Sequence, residues 1–156
     1  MARAFVGLGS NLGEREVTLR AAVGRLRGLA EVEVRGVSSF RDTEPVGYVD
    51  QPRFLNGAVE LETGLSARAL LGALLEIERA FGRDRAGGPP QGPRTLDLDL
   101  LLYGEDLIDE PLLTVPHPRL HERRFVLEPL AELDPDLEIP GQGPIQAVLA
   151  KLDSES

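Results

Sequence analysis

An α+β fold with a βαββαβ core is what this 156-residue sequence predicts, on three observations. Apolar residues recur with a period of two near 2–9, 31–40, 54–62 and 95–102, the pattern of strands with one buried face. Apolar residues spaced three and four apart over 14–29 and 66–81 mark two helices between those strands. A long polar connection joins the second and third strands, which suits an antiparallel pair rather than a crossover.

The first strand, Ala2-Arg3-Ala4-Phe5-Val6-Gly7-Leu8-Gly9, runs into Gly7-Leu8-Gly9-Ser10-Asn11-Leu12-Gly13. The glycines fall as GxGxxxG with no ribose acid downstream, so this is read as a tight turn in which Ser10 or Asn11 caps free backbone donors. In the first helix Leu19, Val23 and Leu26 share a face. Val32, Val34 and Val37 then form a second strand, with a bulge expected at Gly36. Asp42 to Pro52 reads as a long functional loop. In the third strand Leu55, Gly57, Val59 and Leu61 face one way, and Phe54, Asn56, Ala58 and Glu60 the other.

Ser66 is placed to cap the second helix, whose stripe is Leu70, Leu74, Ile77 and Phe81, widened by Leu71 and Leu75. Glu78 falls inside that stripe, where a carboxylate needs a partner unless it reaches solvent at the edge. A second loop spans 82–93. In the fourth strand Leu96, Leu98, Leu100 and Leu102 alternate with Thr95, Asp97, Asp99 and Leu101. A hairpin turn at 103–106 and a short edge strand at 107–108 follow. Helices are expected from about 119 to 130 and from about 144 to 152. This order is the ferredoxin-like one, a mainly antiparallel sheet carrying helices on one face, with extra C-terminal helices.

Length and a hydrophobic content of 42% fit one domain, 1–156, with a packed core. The absence of cysteine excludes disulfides, cysteine-ligated zinc and thiol catalysis. With no leader and no long apolar run evident, a cytoplasmic protein without membrane association is expected. A net charge of −9 and 4% aromatics argue against nucleic acid as a partner. A monomer is the expected state. The acidity is uneven: Arg79, Arg83, Arg85 and Arg94 face only Asp84 within residues 79–94, a basic island suited to a small polyanion.

Asp97 and Asp99, about 7 Å apart on one strand face, repel each other unless a divalent cation lies between them or both are solvated on an open sheet face. Oxygen-only ligands suit Mg²⁺. Arginines beside such a pair suit a polyphosphate, because guanidinium binds phosphate bidentately while the metal neutralises charge. His117 lies between two prolines, as a phosphate donor or as a satisfied histidine near a helix start. Nothing supports a Ser-His-Asp triad, and two histidines without cysteine make a poor zinc set. A binding module that senses a nucleotide without turnover is the competing reading.

Gly92-Pro93-Arg94-Thr95-Leu96-Asp97-Leu98-Asp99, followed by Leu113-Thr114-Val115-Pro116-His117-Pro118, resembles the 6-hydroxymethyl-7,8-dihydropterin pyrophosphokinases of the folate pathway. The likeness takes in the glycine turn at 7–13, Val37-Ser38-Ser39, Asp50-Gln51-Pro52 with Phe54-Leu55-Asn56, and Gly82-Arg83-Asp84-Arg85, covering most of 5–140. It implies transfer of the β,γ-pyrophosphate of ATP to a pterin hydroxymethyl group, with two Mg²⁺ held by Asp97 and Asp99. Arg83, Arg94, His117 and Arg123 would contact the nucleotide phosphates, and Arg85 would be a mobile loop arginine. Thr114 would belong to the ATP site, and Glu78 matches a site glutamate. Phe54 and Phe125 would sandwich the pterin, Asn56 would bond its edge, and backbone from Thr43 to Val46 would complete the pocket. The sequence departs from the family where a tryptophan often precedes Gly-Pro-Arg (here Pro89-Pro90-Gln91), at Ala86, and at Glu44.

Overall fold

Strand β1 (Ala2–Ser10) runs between β4 (Phe54–Thr63) and β5 (Asp97–Tyr103). The far side of β4 is taken by β2 (Val32–Val37) and, nearer its start, by β3 (Arg41–Thr43). Every pairing is antiparallel, in the order β2-β4-β1-β5 expected of a ferredoxin-like core. These statements come from a computed structural model that describes residues 1–43, 53–82 and 96–155.

One sheet face presents Ala4, Val6, Leu8, Val59, Leu61, Leu96, Leu98 and Leu100. Helix α1 (Arg15–Arg27) covers it with Leu19, Ala22, Val23 and Leu26, and α2 (Ala67–Ala80) with Leu70, Leu74 and Ile77. Ser66 caps α2 as expected, its side chain accepting the Ala69 N–H at 3.1 Å. The other face, with Phe5, Ala58 and Leu101, packs on α3 (Arg124–Leu133) and α4 (Ile145–Glu155) through Leu127, Leu130, Ile145 and Val148. Helices therefore cover both faces and not one, because the C-terminal third brings a second apolar layer of its own.

Several elements differ from the sequence reading. The pairing of β1 with β5 slips between Phe5 and Val6, so Leu101 has no opposite residue and both Leu101 and Leu102 join the second core. Leu102 thus leaves the face of Leu100, since a bulge inverts the alternation beyond it. The bulge expected at Gly36 is present, between Val34 and Gly36. Arg41–Thr43, read as the edge of a long loop, is a strand on β4, and the second strand ends at Val37. Ser10 is the last residue of β1, its Oγ buried without a hydrogen-bond partner among the described residues, and α1 starts only at Arg15 with no side-chain cap among them.

The turn at 103–106 forms, with Asp106 N–H donating to the Tyr103 carbonyl. The chain beyond it does not return to β5, however: β6 (Ile108–Glu110) pairs with β7 (Leu113–Val115) as a separate hairpin. The helix expected from Arg119 is a 3-10 turn at Leu120–Glu122, broken at Arg123 before α3 begins. The polar connection after it holds a small hairpin of β8 (Glu138–Ile139) and β9 (Gly143–Pro144). No helix among the described residues is long and apolar enough to cross a membrane.

Candidate active site

The strand register builds the site. On the α3 side of the sheet Asp97 lies opposite Gly9, which lies opposite Asn56; one row along, Asp99 is opposite Gly7 and then Ala58. Residues paired across antiparallel strands share a face. In that row Asp97 and Asn56 are therefore separated by a glycine, which carries no side chain. The vacancy is required at Gly9, where a Cβ would fall 2.9 Å from Asn56 Oδ1 and 3.8 Å from the Phe54 ring. Gly9→Ala is expected to displace the Asn56 amide and to weaken binding on that side by about tenfold at little cost in stability, measurable by calorimetry. Unchanged affinity would contradict this role for the glycine row.

Asn56 Nδ2 donates to Thr43 Oγ1, which fixes the amide and leaves Oδ1 facing Gly9. Phe54 is half-buried on the same face, paired with Thr43. Asp97 and Asp99 are both half-buried.

Glu78 resolves the anomaly in its helix stripe. It is 2% exposed, and its Oε2 accepts the Leu98 N–H at 2.7 Å. Leu98 is the residue between the two aspartates, so α2 holds β5 by the backbone at the point where their side chains project. A buried carboxylate bonded to a backbone N–H is a charge-assisted contact that fixes both partners. Glu78 also borders a cleft of about 360 Å³ with Asp99, Thr114 and His117. Leu71 and Leu75 from α2 and Leu112 and Leu113 from the β6–β7 hairpin supply its apolar walls.

His117 follows β7 and is half-buried; its backbone N–H donates to the Leu101 carbonyl at 2.9 Å. Its Nδ1 faces the Arg119 N–H at 3.4 Å, which places the proton of the neutral ring on Nε2. Burial holds the imidazole pKa below its ordinary value, Arg123 and Arg119 add to that, and Asp97 acts against it. Arg123 lies in the extended break before α3. Its Nε is buried with no hydrogen-bond partner among the described residues, and its guanidinium carbon is 5.7 Å from the centre of the Phe125 ring. A buried donor of this kind is costly unless an acceptor arrives. Phe125 is in the first turn of α3.

Of the residues singled out in the sequence, Thr43, Phe54, Asn56, Glu78, Asp97, Asp99, Thr114, His117, Arg123 and Phe125 belong to described segments. Glu78, Asp99, Thr114 and His117 share the cleft, and Thr43, Asn56 and Phe54 gather at Gly9. Val46, Arg83, Arg85 and Arg94 lie outside the described residues. The sequence reading placed Gly7 and Gly9 in the first strand, as found, but missed that they clear one face of it. Their signal was glycine at alternate positions of one strand, which empties one face of side chains. It also missed Leu112, whose place beside the cleft depends on the hairpin.

An α+β sandwich with a carboxylate pair, a half-buried arginine and an apolar-walled cleft is an arrangement able to hold an anionic nucleotide. The comparisons with known proteins make this specific. The family model described as 7,8-dihydro-6-hydroxymethylpterin-pyrophosphokinase (HPPK) matches residues 5–135, and the chain belongs to that family. It is a pyrophosphokinase of folate synthesis, moving pyrophosphoryl from ATP to hydroxymethyldihydropterin.

The 2-amino-4-hydroxy-6-hydroxymethyldihydropteridine pyrophosphokinase of Bacillus subtilis is 50% identical over 135 residues, covering 86% of this chain and 80% of the relative. The protein of the same name from Pseudomonas aeruginosa is 46% identical over 148 residues, covering 95% and 90%. In fold, the chain is similar to a Plasmodium falciparum HPPK-DHPS crystal structure, with a TM-score of 0.78 at 13% identity. That match covers 99% of this chain and 46% of the longer one.

Proposed function

We propose that Asp97 and Asp99 hold two Mg²⁺ ions through which the chain engages ATP, and that the pterin lies across Gly9 toward Asn56. The observation that carries this reading is the register row Asp97–Gly9–Asn56, in which a glycine without a side chain lies between the acidic and the amide ends of the site. The donor set fits Mg²⁺, an oxygen-seeking ion that takes one or two carboxylates and completes its shell with phosphate oxygens and water. Bound there, Mg²⁺ would neutralise charge on the triphosphate.

The protein's own groups do the positioning. Arg123, whose Nε has no partner among the described residues, and His117, with Nε2–H, suit phosphate oxygens, and Thr114 borders the cleft with His117. Arg83 and Arg94 are assigned to the phosphates, and Arg85 to the transferring group as a loop arginine. The leucine walls suit the flat apolar base of the nucleotide. Phe54 and Phe125 are assigned to the two faces of the pterin, with Asn56, Thr43 and Val46 at its edge. The hydroxymethyl oxygen bonds to the β-phosphorus as the bond from that phosphorus to the α-phosphate bridging oxygen breaks; the hydroxyl proton passes to water, and AMP leaves with the bridging oxygen. A single-domain, monomeric enzyme working in the cytoplasm completes the reading.

The test is an AMP-release assay with ATP, with and without the reduced pterin and Mg²⁺. AMP should appear only when all three are present. ADP as product, or ATP bound without turnover, would point to an ordinary kinase or to a nucleotide sensor, and full activity in excess chelator would remove the metal assignment.

His117 supplies a pH-dependent check. Its pKa is held down in the free protein and should rise when phosphate oxygens reach Nε2. Between those two values the complex holds more protons than the free protein, so ATP binding near pH 6.5 should take up protons. Calorimetry in two buffers of different ionisation enthalpy measures the uptake. It should vanish in His117→Gln, and an absence of uptake in the unsubstituted protein would rule out the phosphate contact.

A further inference from the structure

We infer that Glu132, remote from the reacting groups, is a positioning residue that sets the width of the pterin slot by fixing the register of α3 along β3. This rests on the assignment of Phe54 and Phe125 to the pterin.

The Glu132 carboxylate takes three donors, two from Ser39 between β2 and β3 and one from Arg41, the first residue of β3. Oε2 accepts the Ser39 N–H at 2.7 Å, and Oε1 accepts the Ser39 hydroxyl at 2.6 Å and the Arg41 guanidinium at 2.9 Å. Arg41 also faces Glu128, one turn earlier on α3, at 3.7 Å. The Ser39 and Arg41 contacts hold the Glu132 carboxyl below its ordinary pKa.

The segment receiving α3 is itself anchored to β4. Ser38 exchanges bonds with Ala58, its N–H donating to the carbonyl at 2.9 Å and its Oγ accepting the amide at 2.8 Å. Phe40 lies on Gly57, where a Cβ would come within 2.7 Å of the ring. Beyond it, Asp42 accepts from Arg53 at 2.9 Å and, on the α1 side, from Arg15 at 3.4 Å. Strand β3 is therefore fixed to the sheet independently of α3, and Glu132 ties the helix to a fixed point.

The geometry carries that tie to the site. Phe125, Glu128 and Glu132 are spaced three and then four apart and share one face of α3. On β3, Arg41 and Thr43 share the face of Asn56 and Phe54, their opposite residues in register. Ser39 bonds to Glu132, and Arg41, two residues on, reaches both Glu132 at 2.9 Å and, one turn earlier on α3, Glu128 at 3.7 Å. Continuing to Thr43 brings the helix to Phe125. Seven helical residues span about 10 Å, and four extended residues about 13 Å. Phe125 is thereby delivered to the end of β3 where Thr43, Phe54 and Asn56 stand. Any slip of α3 along β3 changes the gap between the two aromatic rings.

The test is steady-state kinetics of Glu132→Ala, Ser39→Ala and Phe125→Ala, with a double-substitution cycle between Glu132→Ala and Phe125→Ala. Glu132→Ala should raise KM for the pterin about tenfold while KM for ATP stays within about twofold, and Ser39→Ala, a milder loss of one donor, should shift the same constant in the same direction. In the Phe125→Ala background the Glu132 substitution should add little, because its effect passes through the ring. A lowered Tm with an unchanged ratio of the two KM values, or fully additive effects, would overturn the inference. Phe125→Ala without any effect on pterin KM would instead show that the slot itself is misassigned. Should Glu132→Ala fail to fold, Ser39→Ala and Glu132→Gln decide the question by the same ratio.

Discussion

Replacing Asp97 or Asp99 by alanine is expected to lower turnover by about 10³-fold or more while changing stability by no more than about 1 kcal/mol. The two carboxylates share one face of β5 and are half-buried, outside both hydrophobic cores, so truncating either leaves the packing intact. On the proposed metal role the loss falls on catalysis, since a single carboxylate would not hold two ions or fix a triphosphate against the alcohol. Urea titration beside AMP release separates the two effects. Near-normal turnover in both variants with Mg²⁺ would refute the metal assignment.

Glu78→Ala is expected to have the second largest effect, and on both quantities. The Leu98 N–H loses its buried acceptor, a loss of about 1–3 kcal/mol. Strand β5 loses its tether to α2 between the two aspartates, and misplacement on the order of 1 Å there costs about 10²-fold in rate. Glu78→Gln keeps an oxygen acceptor of nearly the same reach, so its stability should stay close to that of the unsubstituted protein, with an intermediate rate. If Glu78→Ala loses stability without rate, the glutamate serves the fold alone.

Much of this was legible in the residues. The Asp-x-Asp alternation identifies a strand and places both acids on one face, because strand periodicity is local geometry. Glu78 could be marked as anomalous because a carboxylate breaks an otherwise apolar helical stripe. Its partner could not be named: the donor it satisfies is a backbone N–H twenty residues away, and a backbone amide leaves no mark on composition. Leu102 shows the opposite failure, where alternation was extended through a bulge whose cause lies in the pairing with β1 and not in the strand's own pattern.

Local chemistry, spacing and the family motif determined the strand and helix order, the acidic pair, the arginine island and the class of reaction. Tertiary structure alone decided that α3 and α4 cover the second face, that glycines clear the path from Asp97 to Asn56, and that Glu78 grips β5. It also decided that Glu132 ties α3 to the chain leading into β3. The physical reason is common to all of these: periodicity reports which way a side chain points along its own segment. Which distant segment meets it is set by register and packing between elements, and those are properties of the assembled sheet.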